Sequence, residues 1–376
     1  MGTSDGSVQG VTKIIDHGPD SVRWNLVILG DGYQTGELTN YAADALAFVN
    51  TLSATTPFDT LWPAINCHRV DVSSTDSGAA DPIACGGTGA TPSTYFDASF
   101  CGDGQIQRLL VVNTTTALNV ATAQVPQMHM TIVIVNSTIY GGSGGQVAAF
   151  SKAANAQEIA IHEMGHTAFG LADEYEYFAG CASGETGHDS YTGAEPTEPN
   201  VTANADRATI KWSSLIAAAT AVPTTSNANC AQCDTQSSPV PANTVGAFEG
   251  ARYFHCAMYR PQFTCRMREL GNPFCAVCQQ AITGTISTFM PAAPTVTGIS
   301  PTSGPVTGGT TVTVTGTGFT GVTSVGFGNT GVNVQTGATD TELTIVSPVG
   351  TGTVDITVTT PTGTSATSAD DQFTYV

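Results

Sequence analysis

Hydrophobic positions follow two different rhythms along the chain. In the longer, N-terminal part, compact apolar runs alternate with helical spacing. Residues 25–29 form an apolar run that ends at Gly30-Asp31-Gly32-Tyr33. Residues 39–52 then carry Tyr41, Ala45, Phe48, Val49 and Leu52 at the intervals of one helix face. Residues 109–113 and 130–136 are rich in β-branched side chains, as in strands covered on both faces. A glycine-rich stretch, 141–145, follows. Near the end the rhythm shortens to alternating stretches at 310–315, 322–327, 332–336, 342–346, 353–359 and 372–376. They are punctuated by Gly308-Gly309, Gly316-Thr317-Gly318 and Ser347-Pro348. That spacing predicts an all-β sandwich. Nowhere does an apolar run approach the roughly 18–20 residues of a membrane helix, so no membrane insertion is expected.

Composition changes where the rhythm does, near Pro291-Ala292-Ala293-Pro294, and predicts domains at 1–290 and 291–376. All 11 Lys and Arg, all ten Cys, all seven His and all three Trp precede this point. The first part has 25 acids against those 11 bases, a charge of −14; the tail has five acids and no base, −5. A net charge of −19 excludes a nucleic-acid binder, which needs a basic face, and argues against anionic lipid. Only 11% of residues are charged and 41% are hydrophobic, which excludes wholesale disorder. Ten cysteines predict an oxidising compartment and hence a secreted, extracellular protein. The opening residues Met1 to Ser7 lack the basic and apolar regions of a signal peptide, so export is expected of a chain whose signal is not among them. Asn113, Asn136 and Asn200 begin glycosylation sequons.

The chemistry concentrates in His162-Glu163-Met164-Gly165-His166. Side chains four apart on a helix share a face, so both imidazoles can reach one metal ion. Asn155, with Glu158 three residues on, predicts a capped start, Ile159, Ile161, Met164 and Ala168 supply apolar faces, and Gly170 can stop the helix in a left-handed turn. Zinc suits two imidazoles, a third protein ligand and an open position for water. Asp173, seven residues past His166, is the preferred third ligand; Glu174, Glu249, His188 and His255 are the alternatives. The plain alternative for the motif is two surface histidines on an amphipathic helix.

These residues resemble the metzincin pattern His-Glu-x-x-His-x-x-Gly-x-x-His/Asp, except that Gly170 and Asp173 each arrive one residue late. The longer form with Asp173-Glu174-Tyr175 resembles the igalysins, the IgA-peptidase family of metzincins. Other stretches agree: residues 26–33, Val135-Asn136-Ser137 with Tyr140-Gly141-Gly142, Phe248-Glu249-Gly250-Ala251, Tyr259-Arg260-Pro261, Cys265-Arg266-Met267 and Phe274-Cys275-Ala276-Val277-Cys278. The likeness spans roughly residues 13–290. It implies an α+β metzincin-like zincin domain, with a mixed twisted sheet and an active-site helix. It also implies that Met267 is the Met-turn residue beneath the metal, with Met258 as rival, and that residues 136–145 form the upper rim of a cleft. An edge strand there could pair with an extended peptide. The tail, from Ile299-Ser300-Pro301 through Gly316-Thr317-Gly318-Phe319, resembles the immunoglobulin-like IPT/TIG domain. That implies a spacer or a module that binds protein or glycan.

The expected function is a zinc endopeptidase acting on protein or peptide substrates, with one catalytic Zn2+ and Glu163 as general base. Tyr175, Tyr253 and Tyr259 are unranked candidates for donors to the oxyanion. Two rivals stand beside it: an adhesion or binding protein with a degenerate peptidase domain, and a zinc amidase on small peptide cross-bridges. The pairs Cys230/Cys233 and Cys275/Cys278 could together hold structural zinc, but disulfides are the preferred reading. Asp71, Asp76 and Asp81 with Gly78 suggest calcium only faintly, since they match no calcium-loop spacing.

Overall fold

The early apolar run becomes the middle of a six-stranded sheet. The computed structural model describes residues 4–177, 181, 187–335 and 337–376. They divide into two units, Met1–Thr288 and Phe289–Val376. The first opens with β1 (Gly6–Ile15), β2 (Trp24–Asp31), α1 (Leu38–Ser53), α2 (Phe58–Leu61) and β3 (Ile65–Ser74). It continues with α3 (Thr114–Gln124), β4 (Met128–Val135), β5 (Gly142–Ser143), β6 (Ala148–Ser151) and α4 (Ala156–Phe169). Strand order is β1-β3-β2-β4-β6-β5. The inner four run parallel, and β1 and β5 are antiparallel to their neighbours.

Every residue of β2 is buried, as the unbroken apolar run requires of a strand covered on both faces. Val27 and Leu29 pack with Ala117, Val120 and Ala121 of α3. On the opposite face the Tyr41 hydroxyl of α1 donates to the Ile28 carbonyl at 2.8 Å, and Phe48 meets Phe150 of β6 at 5.1 Å. Phe169, at the end of α4, stacks on Trp24 and touches Phe58. The helix bearing the His-Glu motif is thus anchored to the sheet centre.

Residues 109–113 do not form the expected strand. Leu109 and Val111 make only isolated bridges, and Asn113 leaves the extended run to cap α3, accepting the Thr116 N–H at 3.1 Å. The capping bond ends the strand before it can propagate. The sequons also divide. Asn136 and Asn200 are buried, at 7% and 0% exposure, and their side chains are bonded inside the protein. Neither can carry a glycan in the folded chain.

Among the described residues after α4 there is little regular structure before the hairpin β7 (Phe248–Ala251) and β8 (Phe254–Arg260), and then α5 (Ala276–Ile286). Cross-links take over from ladders here. Disulfides join Cys181 to Cys233 and Cys230 to Cys256, and a third, Cys85–Cys101, closes an earlier loop. Bridges of this kind contribute roughly 2–4 kcal/mol each. Both sulfurs of the Cys230/Cys233 pair are therefore used, and they do not join Cys275 and Cys278 around one ion. Contrary to the preferred reading, Cys275 and Cys278 are not disulfide-bonded; with Cys67 and Cys265 they are buried thiols. The acids whose sequence faintly suggests calcium are engaged separately: Asp71 with Arg69, Asp76 with the Ser93 N–H, and Asp81 with the Thr88 N–H.

The second unit holds β9 (Thr295–Ser300), β10 (Ser303–Gly304), β11 (Thr311–Thr317), β12 (Ser324–Phe327), β13 (Thr330–Val332), β14 (Glu342–Val346), β15 (Thr353–Thr360), β16 (Gly363–Thr364) and β17 (Gln372–Tyr375). One sheet has the order β10-β17-β15-β12-β13, with β16 on β15; the other is β14-β11-β9. Val312, Val314, Ile345, Ile356, Val358 and Phe373 fill the core they share. The stretch expected at 332–336 is shifted: β13 ends at Val332, Val334 bridges Ile345 alone, and Thr336 lies outside the described residues.

Phe48→Ala removes a fully buried ring from the layer that seats α4. The expected cost is about 3–5 kcal/mol, read by urea unfolding. A loss below about 1 kcal/mol would contradict the packing described.

Candidate active site

Helix α4 starts and stops for different reasons than its sequence suggested at one end. Asn155 takes a left-handed conformation, with φ 64°, and its side chain caps nothing. Glu158 is drawn instead to Arg266 at 2.6 Å and to the Gly271 N–H at 3.2 Å, so the expected capping box does not form. At the other end Gly170 does adopt the left-handed turn, with φ 61°. The turn reverses the chain beneath the helix and brings Asp173 back under the two histidines.

His162, His166 and Asp173 converge. His162 Nε2 lies 3.1 Å from Asp173 Oδ1, His166 Nε2 lies 3.2 Å from the same oxygen, and the two nitrogens are 3.2 Å apart. The other ring nitrogens fix the tautomers. His162 Nδ1 sits 2.9 Å from the Arg266 carbonyl and His166 Nδ1 2.6 Å from the Leu171 carbonyl, contacts that require the nitrogen to donate. Neutral imidazoles so held present lone pairs at Nε2, toward each other and toward a carboxylate oxygen. Asp173 Oδ1 is buried and has no hydrogen-bond donor, whereas Oδ2 accepts from the Tyr253 hydroxyl. Three acceptors facing one point repel unless a cation lies among them. Tetrahedral zinc with bonds of about 2.0–2.1 Å needs ligand–ligand edges of about 3.3 Å. The donor set therefore fits such an ion.

Without a metal, protons must do the same task. Burial opposes charge on His166, but the hydrogen bond and charge of Asp173 win and push it up to about 9. His162 is raised for the same reason, against the same burial. Burial would lift Asp173, yet the two imidazoles hold it well below the usual carboxylate range. Glu163, next along the helix, is raised by burial against the pull of His162 and His166.

The floor and rim are built by close contacts. Met267 is fully buried, and a Cβ at Gly165 would come within 2.6 Å of its sulfur. Met258 packs elsewhere, with Ala172, Val201 and Ala251. A Cβ on Gly144 would lie 2.5 Å from Glu163 Oε2, so only glycine lets the rim approach the carboxylate. Strand β5 is the last in its sheet, but its outer side is not free: the Gly142 N–H donates to the Arg108 carbonyl at 3.1 Å. The anticipated pairing edge is thus partly covered by the chain itself. Two cleft lobes meet at His162 and Glu163 and share Arg108, Gly142 and Tyr175.

The remaining candidates fall outside. Glu249 accepts the Asn227 and Ala257 N–H groups, and His255 Nδ1 contacts the Cys230 carbonyl at 2.9 Å. His188 packs against Phe254, and Glu174 turns to the opposite side, toward Asn200 and Cys278. Tyr175 and Tyr253 line the cleft with rings 5.4 Å apart, while the Tyr259 hydroxyl faces Glu249. The sequence named Tyr253 only as an unranked oxyanion donor, not as the partner of Asp173, and did not single out the Arg266 and Leu171 carbonyls, although Arg266 directly precedes Met267.

Comparison with known proteins says which family carries this arrangement. Residues 12–237 and 230–286 match the family described as IgA Peptidase M64, and residues 294–375 match the IPT/TIG domain. The chain belongs to the IgA Peptidase M64 family, whose members are metallopeptidases, and carries a C-terminal IPT/TIG domain. No curated protein sequence matches it. Among solved structures, a gamma-CGTase from alkalophilic Bacillus clarkii is 29% identical over 23% of this chain and 12% of its own, with TM-score 0.20. SGBP-B from a xyloglucan utilization locus of Bacteroides uniformis is 31% identical over 20% of this chain and 21% of its own, with TM-score 0.18. The chain thus corresponds to only a small part of either protein. Among the described residues no helix is long and apolar enough to cross a membrane.

Chelated protein should show a distinct pH response. Raised histidine pKa values contribute stability that is complete below the unfolded value near 6.5 and disappears as pH rises through the folded value, about 9 for His166. The melting temperature in chelator should therefore fall across that interval, and added zinc should flatten the fall. A chelated protein with no loss across this window would contradict the hydrogen-bonded cluster.

Proposed function

We propose that the first unit is a metzincin-like zinc endopeptidase domain in which His162, His166 and Asp173 hold the ion. The observation that carries this reading is the convergence of three acceptors, His162 and Asp173 buried and His166 half-buried, the two imidazoles with tautomers fixed by backbone carbonyls, beside a carboxylate in an open cleft. Bound zinc supplies an acidified water and polarises the scissile carbonyl.

The protein's own groups do the rest. Tyr253 engages Asp173 Oδ2 and leaves Oδ1 for the metal. Glu163 accepts the proton of the attacking water and returns it to the leaving amine; burial, by raising its proton affinity, suits it to both transfers. Met267, proposed as the Met-turn residue, fills the floor against Gly165. Arg266 orients His162 through its carbonyl while its guanidinium holds Glu158. The substrate class is an extended protein segment, lying between the 141–145 rim and Tyr175 and Tyr253. The three disulfides support an extracellular setting. The proposed domain limits are 1–290 and 291–376, and the second domain is read as a spacer or binding module.

Glu163→Gln should keep its metal, measured by mass spectrometry, and lose about 10²–10⁴-fold in cleavage of an unbiased peptide library. Unchanged cleavage would remove Glu163 from the mechanism. No cleavage by the native chain would favour a binding protein, and cleavage confined to small cross-bridge amides would favour an amidase. Gly144→Ala should lower kcat by about 10²-fold by displacing Glu163, with metal content unchanged. An unaffected kcat would show that the rim does not set the position of this carboxylate.

A further inference from the structure

A second group of metal-binding side chains lies on the buried side of the same chain segments. Glu174, Cys265, Cys275 and Cys278 are all buried, and each offers one ligand atom within 4.8 Å of the others. Cys265 Sγ is 3.7 Å from Cys278 Sγ. Glu174 Oε1 is 3.6 Å from Cys275 Sγ and 3.3 Å from Cys278 Sγ. We propose that these four side chains form a structural zinc site of the three-thiolate, one-carboxylate type.

The distances fit that chemistry. With Zn–S bonds of about 2.3 Å and a Zn–O bond of about 2.1 Å, a tetrahedron has sulfur–sulfur edges of about 3.8 Å and sulfur–oxygen edges of about 3.6 Å. A disulfide needs about 2.05 Å, far shorter than the separation here. The backbone is arranged for thiolates. The Cys275 N–H donates to Cys265 Sγ at 3.2 Å, and the Cys278 N–H donates to Cys275 Sγ at 3.4 Å. Cys275 is the N-cap of α5, where the helix favours negative charge. The Asn200 amide donates to Glu174 Oε1 at 2.9 Å, orienting it, while Oε2 is buried without a hydrogen-bond partner. A carboxylate buried beside three sulfurs stays ionised only with a cation among them, and soft sulfur donors select zinc among the abundant divalent ions.

Such a site would staple the catalytic floor. Glu174 is adjacent to Asp173, and its N–H donates to the Met267 carbonyl at 2.7 Å. Cys265 immediately precedes Arg266, whose carbonyl fixes His162. One ion would hold both segments in register, without touching substrate.

The full chain tests this by metal content and spectroscopy. Protein purified with zinc should hold about two ions per chain, and His162→Ala/His166→Ala should hold one fewer. Cobalt in that double variant should give a thiolate-to-metal charge-transfer band, and adding Cys278→Ser should abolish it. Two measurements need no substitution. Wild-type protein loaded with cobalt should show the same band, and wild-type protein denatured in chelator without reductant should expose four thiols: Cys67, Cys265, Cys275 and Cys278. Two thiols would indicate a disulfide within the Cys265, Cys275 and Cys278 cluster and overturn the proposal. So would a wild-type cobalt protein with no charge-transfer band.

Discussion

Three acceptors are forced to face one another at the end of α4, and most of the surrounding structure exists to hold them there. An imidazole that donates from Nδ1 to a carbonyl has only a lone pair left at Nε2. Two such rings and a carboxylate oxygen then share one small volume. Left alone they repel, so the arrangement needs either protons or a cation. The Arg266 and Leu171 carbonyls impose this on His162 and His166, and the Tyr253 hydroxyl, by occupying Oδ2, imposes it on Asp173.

Rigidity comes from unequal sources on the two sides of the site. Above, α4 is seated on a sheet whose middle strand is wholly buried, and aromatic contacts fix its end. Below, the described residues between Leu171 and Cys275 contain little regular structure beyond one hairpin. Order there comes from disulfides, from Asn200 bonded to both backbone groups of Ala172, and from the Glu174–Met267 backbone bond. The proposed second ion would belong to this lower half, where a hydrophobic core is least able to do the work.

Local pattern made some of this legible in advance. The helix face of α1, the buried run of β2, the left-handed stop at Gly170 and most strands of the second unit are periodicity and glycine signals, which depend on neighbouring residues alone. So does the pair His162 and His166. What escaped the sequence depends on distant partners. Asn113 chose a helix cap over a strand, and Asn155 chose a left-handed backbone over a capping bond. Cys230 and Cys233 paired with Cys256 and Cys181, although their spacing equals that of Cys275 and Cys278. Identical spacing led to opposite outcomes because the deciding residues, Cys256 and Cys181 in one case and Cys265 and Glu174 in the other, lie outside the Cys-x-x-Cys stretch itself.

Asp173 and Glu174 are neighbours whose carboxylates point to opposite sides, one to the open cleft and one to the sulfur cluster. The segment is therefore parity-sensitive. Lengthening the turn after Gly170 by one residue would set Asp173 where Glu174 stands and leave Ala172 at the cleft, and shortening it by one would set Glu174 at the cleft and Tyr175 at the sulfurs. The interval of seven between His166 and Asp173 is thus constrained from both sides of the chain at once.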